Sequence, residues 1–135
     1  MEEEYLVRGA LLACSCGSHP RRLNMEMDHG VYVINKPVTT EQDIQVEENI
    51  RSFGVCRSEN PPEGAETVCY EAYNPGDPKA YGPCCCPEIN EEGWKKVSEK
   101  TIIDGEGHCL TTNSYCVCVH GGIIECIESG QGFEG

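Results

Sequence analysis

YCVCVHGGIIECI, residues 115–127, holds two β-rich runs separated by a Gly-Gly pair. Valine, isoleucine and tyrosine favour extended backbone, and a glycine pair between two such runs is a hairpin signal. Residues two apart on a strand face the same side, so Cys116 and Cys118 present both thiols to one face. His120 continues this alternation and is therefore the best histidine candidate for a ligand beside them. The segment predicts a β-hairpin that carries a pair of thiols.

Short strands and turns are also predicted on the N-terminal side of this hairpin. Residues 5–17 read as a strand or hairpin edge that ends in a second thiol pair, Cys14 and Cys16. Val31–Ile34 is rich in β-branched residues and is predicted as one strand. Residues 39–56 leave helix and strand open, because a threonine could cap a short helix but the apolar spacing is ragged.

Three other regions complete the prediction. Residues 94–103 are expected to hold one strand after a charged turn. Residues 57–83 carry repeated Asn-Pro and Asp-Pro turn signals and are predicted as a long loop or insertion. Residues 130–135 contain no core material and are predicted as a flexible tail. Together these patterns predict a mainly β fold of short strands and many turns.

The composition indicates a small core that needs reinforcement. The 135 residues favour a single domain over 1–135, but only 39% are hydrophobic and that share includes 11 cysteines. A chain with so little large apolar material needs a disulfide or metal staple. Metal-bound thiolates, buried free thiols and disulfides all stay open from the cysteine spacing alone.

The net charge of −13 excludes whole classes of partner. Binding to nucleic acid by phosphate neutralisation is not expected, nor is stable docking on an anionic membrane. The excess of acidic residues is read as a solvated surface, with a basic protein partner as the sharper alternative.

The N-terminus predicts synthesis in the cytoplasm without a signal peptide. Glu2, Glu3 and Glu4 stand where a secretory signal carries positive charge. Thiols are kept reduced in the cytosol, which favours metal binding over disulfides, and an odd cysteine count opposes complete pairing. No phosphate-binding loop, GxSxG or HExxH motif occurs, so we expect no catalytic activity.

The order of short motifs along the chain resembles that of the PAAR-like proteins, a bacterial family. The resemblance covers residues 5–131 in four segments. They are GALLACSCGSHPRRLNM from Gly9, then Asp43 with Asn49-Ile50 and Phe53-Gly54-Val55-Cys56, then PCCCPE with Trp94, and finally CLTTNSYCVCVHGGIIECIESGQ.

The resemblance implies a small cone-shaped domain that caps the trimeric, VgrG-like spike of a contractile injection system. Such machines include type VI secretion systems and phage-tail-like particles. The tip sharpens the spike for membrane puncture, touches the membrane only transiently, and in some cases carries an effector. The protein would leave the cell on the apparatus, and zinc or iron would pin its tip.

The resemblance also selects among the cysteines. The metal ligands or thiol core that it implies are Cys14, Cys56, Cys85, Cys116 and Cys118. Within the triplet of residues 84–86, only Cys85 belongs to the pattern and is expected to face the core or the metal. Because adjacent residues on an extended chain face opposite sides, Cys84 and Cys86 should be more exposed, or paired with Cys69, Cys109 or Cys126.

Three alternatives remain open at this stage. A free-standing cysteine-rich metal-binding or adaptor protein would bind zinc but no trimeric spike. An extracellular disulfide-stapled domain would have few free thiols and no metal. A thiol enzyme would have one hyper-reactive cysteine.

Overall fold

The computed structural model describes residues 3–25, 29–45, 49–50, 52–61, 63–72, 74–85, 87–89, 91–103, 105 and 107–132. This part of the chain is built of short β-strands and turns and holds no α-helix, which confirms the mainly β prediction. The strands are β1 (Leu11–Cys14), β2 (Arg21–Arg22), β3 (Tyr32–Val33), β4 (Lys36–Pro37), β5 (Thr67–Tyr70), β6 (Ala80–Pro83), β7 (Ile102–Ile103), β8 (Gly107–His108), β9 (Tyr115–Val117) and β10 (Ile123–Glu128).

The largest sheet has four antiparallel strands in the order β2-β1-β10-β9. The predicted hairpin of residues 115–127 is its β9–β10 pair, with Cys116 opposite Ile124. The connection is five residues long, from 118 to 122, and the hydrogen bond from the Cys118 N–H to the Gly122 carbonyl at 2.8 Å closes it. The first and last strands of the chain are thereby joined in one sheet.

The strand predicted at Val31–Ile34 is a tight hairpin instead. β3 ends at Val33, and Ile34 and Asn35 form a turn with positive φ angles of 51° and 61°. Two consecutive left-handed residues match the twist of a two-residue hairpin turn, and asparagine tolerates that conformation. The turn therefore reverses the chain one residue before the predicted strand would have ended.

The region predicted as a long loop, residues 57–83, contains a second hairpin. β5 and β6 pair antiparallel from Thr67 opposite Pro83 to Tyr70 opposite Ala80. The proline-rich turn signals are confined to the connections on either side of β5. Composition missed the two strands because each is only four residues long between turns.

Two further predictions at the C-terminal side need correction. Residues 94–103 do not form one strand, since only Ile102–Ile103 is a strand, paired with β8. The tail predicted at 130–135 is partly packed: Gly130 is buried, and the Gln131 side-chain amide donates to the Tyr5 carbonyl at 2.9 Å. Residues 133–135 lie outside the described part.

Two clusters form the core. The larger includes Leu6, Leu12, Phe53, Leu110 and four of the cysteines, and the smaller joins Val7, Val38 and Cys109. No helix of the described chain has the length and hydropathy that crossing a bilayer demands.

Candidate functional site

The core contains a thiol cluster made of Cys14, Cys56 and Cys85. Cys14 is the last residue of β1, Cys56 forms an isolated bridge with Gly17, and Cys85 follows β6 by two residues. Backbone hydrogen bonds hold these segments together: Cys85 N–H donates to the Gly54 carbonyl at 2.7 Å, and Phe53 N–H donates to the Cys85 carbonyl at 2.9 Å. Three segments that are distant in sequence therefore bring their thiols to one place.

The cluster is buried and its thiols interact directly. Cys14 is 5% exposed, Cys85 is 4% and Cys56 is 6%. The side chains of Cys14 and Cys85 hydrogen-bond to each other, and Cys85 also hydrogen-bonds to Cys56. The bond from Cys85 lowers the pKa of Cys14 to about 6. The same bond raises the pKa of Cys85, with burial and the charges of Cys14 and Cys56 adding to the shift. One proton is thus held by Cys85 while Cys14 favours the thiolate.

Cys116 and Cys118 border the cluster in different ways. Cys116 is fully buried in the same core and lies near Cys14, and burial raises its pKa to about 12. Cys118 is also buried, but its Sγ accepts a hydrogen bond from the Glu88 N–H at 3.3 Å. The structure therefore brings four of the five predicted cysteines into one core, and it joins Cys118 to the segment that follows the cysteine triplet.

Glycines make the close packing around the cluster possible. A Cβ added at Gly122 would lie 2.5 Å from the Cys14 Sγ, and one added at Gly17 would lie 2.5 Å from the Phe53 Cβ. Neither position has room for a side chain. The glycine pair therefore serves packing against a thiol as well as the turn of the β9–β10 hairpin.

The cysteine triplet divides as expected in the part that is described. Cys85 faces the core, and Cys84 is half-buried and thus more exposed. Cys86 lies outside the described residues. The pairing candidates Cys69, Cys109 and Cys126 are free thiols.

His120 does not continue the face of Cys116 and Cys118. β9 ends at Val117, so the alternation of sides stops before His120 is reached. Its ring contacts the Asn60 carbonyl at 3.1 Å and the Glu88 carboxylate at 3.5 Å. The strand alternation that singled out His120 therefore does not extend to it, and its role as a ligand stays a prediction.

The thiol cluster has the soft donors that suit zinc or iron. Within the described residues, no three histidine, cysteine or acidic side chains are grouped to hold an ion. Zinc at Cys14, Cys56, Cys85, Cys116 and Cys118 therefore stays a prediction, and its donor chemistry is that of structural thiolate sites.

Several polar residues of the sequence motifs have structural roles that spacing did not reveal. The Asp43 carboxylate accepts from the Thr40 N–H at 2.8 Å and lies 2.8 Å from His29 Nε2. The Trp94 indole N–H donates to the Asp43 carbonyl at 3.1 Å. In the sequence, these contacts were indicated only by the presence of Asp43 and Trp94 in the motifs that resemble the PAAR-like pattern.

The chain matches the family described as Domain of unknown function (DUF4280) over residues 6–131, and it belongs to that family. The matched range contains all five predicted cysteines. No curated protein and no solved structure matches the chain. None of these comparisons names a PAAR-like protein, so that resemblance stays a prediction.

Proposed function

We propose that this protein is a non-catalytic tip that caps the trimeric spike of a bacterial contractile injection system. One observation carries the proposal. The four segments whose order resembles the PAAR-like pattern each supply one cysteine to the same core: Cys14, Cys56, Cys85 and Cys116. The order of motifs in the sequence thus corresponds to a set of segments that meet in the core.

This convergence supports a mechanical role. Many short strands and turns depend on one buried centre, and a small domain of this kind is stiff only if its segments are tied together there. The three thiols are buried and do not open to a substrate pocket. Cys14, the thiol whose pKa is lowered, has no histidine base among its described hydrogen-bond partners. The cluster is therefore proposed to reinforce the tip, with zinc or iron as its predicted ligand.

A sheet face offers a docking surface for the spike. Ile123 and Ile127 on β10 are 42% and 50% exposed, while Ile124 between them is fully buried, so the two face solvent together. Val117 stands opposite Ile123 on β9, and Glu125 lies between the isoleucines on the same face. We propose that this surface contacts an apolar face of the trimeric spike, and that a cationic side chain on that face pairs with Glu125.

The test is complex formation with the spike. The full chain is mixed with the purified trimeric spike protein of the same bacterium, and the mass of the complex is measured by light scattering after size exclusion. We expect one copy of this chain on each trimer, because a single tip closes a threefold end. The double variant Ile123→Asp/Ile127→Asp should abolish the complex.

Ile102→Asp is the matched control, since Ile102 is 57% exposed on β7, outside the proposed face. It should bind like the wild type. Failure of the wild-type chain to bind the trimer contradicts the proposal. Zinc binding without spike binding would instead identify a free-standing metal-binding or adaptor protein.

A further inference from the structure

The hairpin of β5 and β6 leaves one edge of β5 open. The two strands form a sheet of their own, so β6 is the only strand in the described part of the chain that pairs with β5. A strand at the edge of a sheet presents backbone donors and acceptors on its outer side, and an extended segment of another chain can add to it there. The β5 edge is therefore a candidate interaction surface.

The pairing register shows which backbone groups point to this open edge. The Cys84 N–H donates to the Glu66 carbonyl at 2.8 Å, so Glu66 and Cys84 form a hydrogen-bonded pair. Hydrogen-bonded and non-hydrogen-bonded pairs alternate along an antiparallel ladder. Thr67 and Cys69 therefore take part in the non-hydrogen-bonded pairs with β6. Their N–H and C=O groups point away from β6, toward the open edge.

The outer side of β6 is already bonded to the core, which fixes the position of the hairpin. The Pro83 carbonyl accepts from the Cys56 N–H at 2.8 Å, and the Cys85 N–H donates to the Gly54 carbonyl at 2.7 Å. Both bonds lie on the side of β6 that faces away from β5. The β5 edge is thus in place before a partner arrives, and a preformed edge lowers the entropic cost of binding.

The sequence of β5 does not block the addition of a strand. Native edge strands are commonly protected by a proline, a charged side chain or a β-bulge. β5 reads TVCY over Thr67–Tyr70, and its four pairs with β6 run in one continuous register. Thr67 and Cys69 are both exposed. The edge ends where His19 Nε2 lies 2.7 Å from the Glu71 carbonyl, so it accommodates a short strand.

Acidic residues on both sides of β5 define the charge of the partner. Residues 58–78 contain no lysine, arginine or histidine but five acidic residues, Glu59, Glu63, Glu66, Glu71 and Asp77. Lys79 pairs with Glu71 at 3.2 Å, but both side chains are exposed and such a pair contributes little. A second copy of this chain would bring the same acidic segment against the edge and be repelled. A segment with lysine or arginine is attracted instead.

From these observations we propose that the open edge of β5 binds an extended, basic segment of another protein by strand addition. A short uncharged stretch of that segment pairs with the backbone of Thr67 and Cys69, and lysine or arginine residues on either side of the stretch meet the acidic residues around β5. Tyr81 lies opposite Cys69 and is 74% exposed, so it adds an apolar contact on one face of the hairpin. The edge uses neither the core thiols nor the β10 face proposed for the spike, so each proposal can fail without the other.

Fluorescence anisotropy with a synthetic peptide tests the edge directly. The labelled peptide Lys-Lys-Thr-Val-Thr-Val-Thr-Lys-Lys is titrated with the full chain in reducing buffer. We expect saturable binding that weakens as salt approaches about 0.15 M, where charges more than about 8 Å apart are screened. The same peptide with its central threonines and valines N-methylated has no donors there and should not bind. Failure of the unmethylated peptide to bind overturns the proposal.

Cys69→Pro tests the role of the backbone. Proline removes the outward N–H of residue 69 but leaves the pairing with β6 intact, because that N–H does not bond to β6. The affinity should fall about tenfold or more, and thermal unfolding like that of the wild type should accompany the loss. Cys69→Val is the matched control, since it also removes the thiol but keeps the N–H, and it should bind like the wild type. Equal losses in both variants, or tight binding of the N-methylated peptide, would overturn strand addition.

Glu66→Gln/Glu71→Gln tests the charge of the partner and should weaken binding of the lysine-flanked peptide. Glu91→Gln/Glu99→Gln is the control, because it changes the net charge equally at exposed positions elsewhere. Equal weakening in the two variants would overturn the assignment to a basic segment. Light scattering of the chain alone in reducing buffer tests the other occupant. A dimer that Cys69→Pro dissociates would show that a second copy covers the edge, and would overturn the assignment to another protein.

Discussion

The thiols of Cys14 and Cys85 hydrogen-bond to each other in the core, although 70 residues of chain separate them in the sequence. Cys14 closes the strand β1, which pairs with the last strand of the sheet, and Cys85 follows the hairpin formed by β5 and β6. This contact connects the main sheet to the region that composition alone assigned to a loop.

Removal of the Cys85 thiol should destabilise the whole domain. Cys85→Ala deletes a buried side chain and leaves Cys14 without its donor, so we expect a loss of about 1–3 kcal/mol in the free energy of unfolding. Urea denaturation in reducing buffer measures it. Cys69→Ala is the matched control, because Cys69 is an exposed thiol on β5. A comparable loss in both variants would show that the buried contact contributes no more to the free energy of unfolding than the exposed thiol does.

Gly122→Ala should introduce a clash with one identified atom. The new Cβ would stand 2.5 Å from the Cys14 Sγ, and the expected cost is about 1–3 kcal/mol. Cys14→Ala removes that sulfur, so the penalty of Gly122→Ala should shrink in the double variant. Gly132→Ala is the control, since no atom lies within 4 Å of its added Cβ. Strict additivity of the two substitutions would refute the steric contact.

Stability should fall in alkaline solution because buried thiols resist ionisation. Burial raises the pKa of Cys116 to about 12 and that of Cys126 to about 11, from an ordinary value of 9.0. The folded state therefore holds these protons after the unfolded state has released them. Their contribution is complete below pH 9 and is lost as the pH rises through 11 and 12.

The size of this effect is on the order of 1 kcal/mol for each thiol, after allowance for the partial exposure of Cys126. Denaturant unfolding at pH 8, 9 and 10 under reducing, oxygen-free conditions measures the slope, and these pH values bracket the ordinary thiol pKa of 9.0. Cys126→Ala should flatten the slope, whereas Cys69→Ala should leave it unchanged. An identical slope in all three proteins would contradict the assignment to Cys126.

Zinc or iron binding is tested by measuring the mass of the intact protein. A native mass spectrum of protein purified without chelator should show one metal ion for each chain, and denaturation followed by a thiol count should show that most thiols are reduced. Cys85→Ser should lose the ion and Cys69→Ser should keep it, because only the first is a predicted ligand. Absence of metal together with paired thiols would move the proposal to a disulfide-stapled domain that works outside the cell.

Local patterns determined the fold class and one strand pair. Alternating Cys116 and Cys118, followed by a glycine pair and an isoleucine-rich run, is enough to specify a hairpin, because hairpin signals act within a few residues. The proline and glycine content likewise indicated short strands and many turns. The exposure of Cys84 relative to Cys85 follows from the same alternation of sides.

The sites themselves were decided by tertiary structure. The meeting of Cys14, Cys56 and Cys85 depends on three backbone segments that pair across the chain, and no local pattern specifies which segments will pair. The strand alternation does not reach His120, because β9 ends at Val117, where the connection to β10 begins. The β3–β4 hairpin meets the N-terminal segment through the hydrogen bond from the Arg8 N–H to the Pro37 carbonyl, 29 residues further along the chain. Spacing in the sequence determined which side of a strand each residue faces. Long-range packing decided which of these strand faces contact each other.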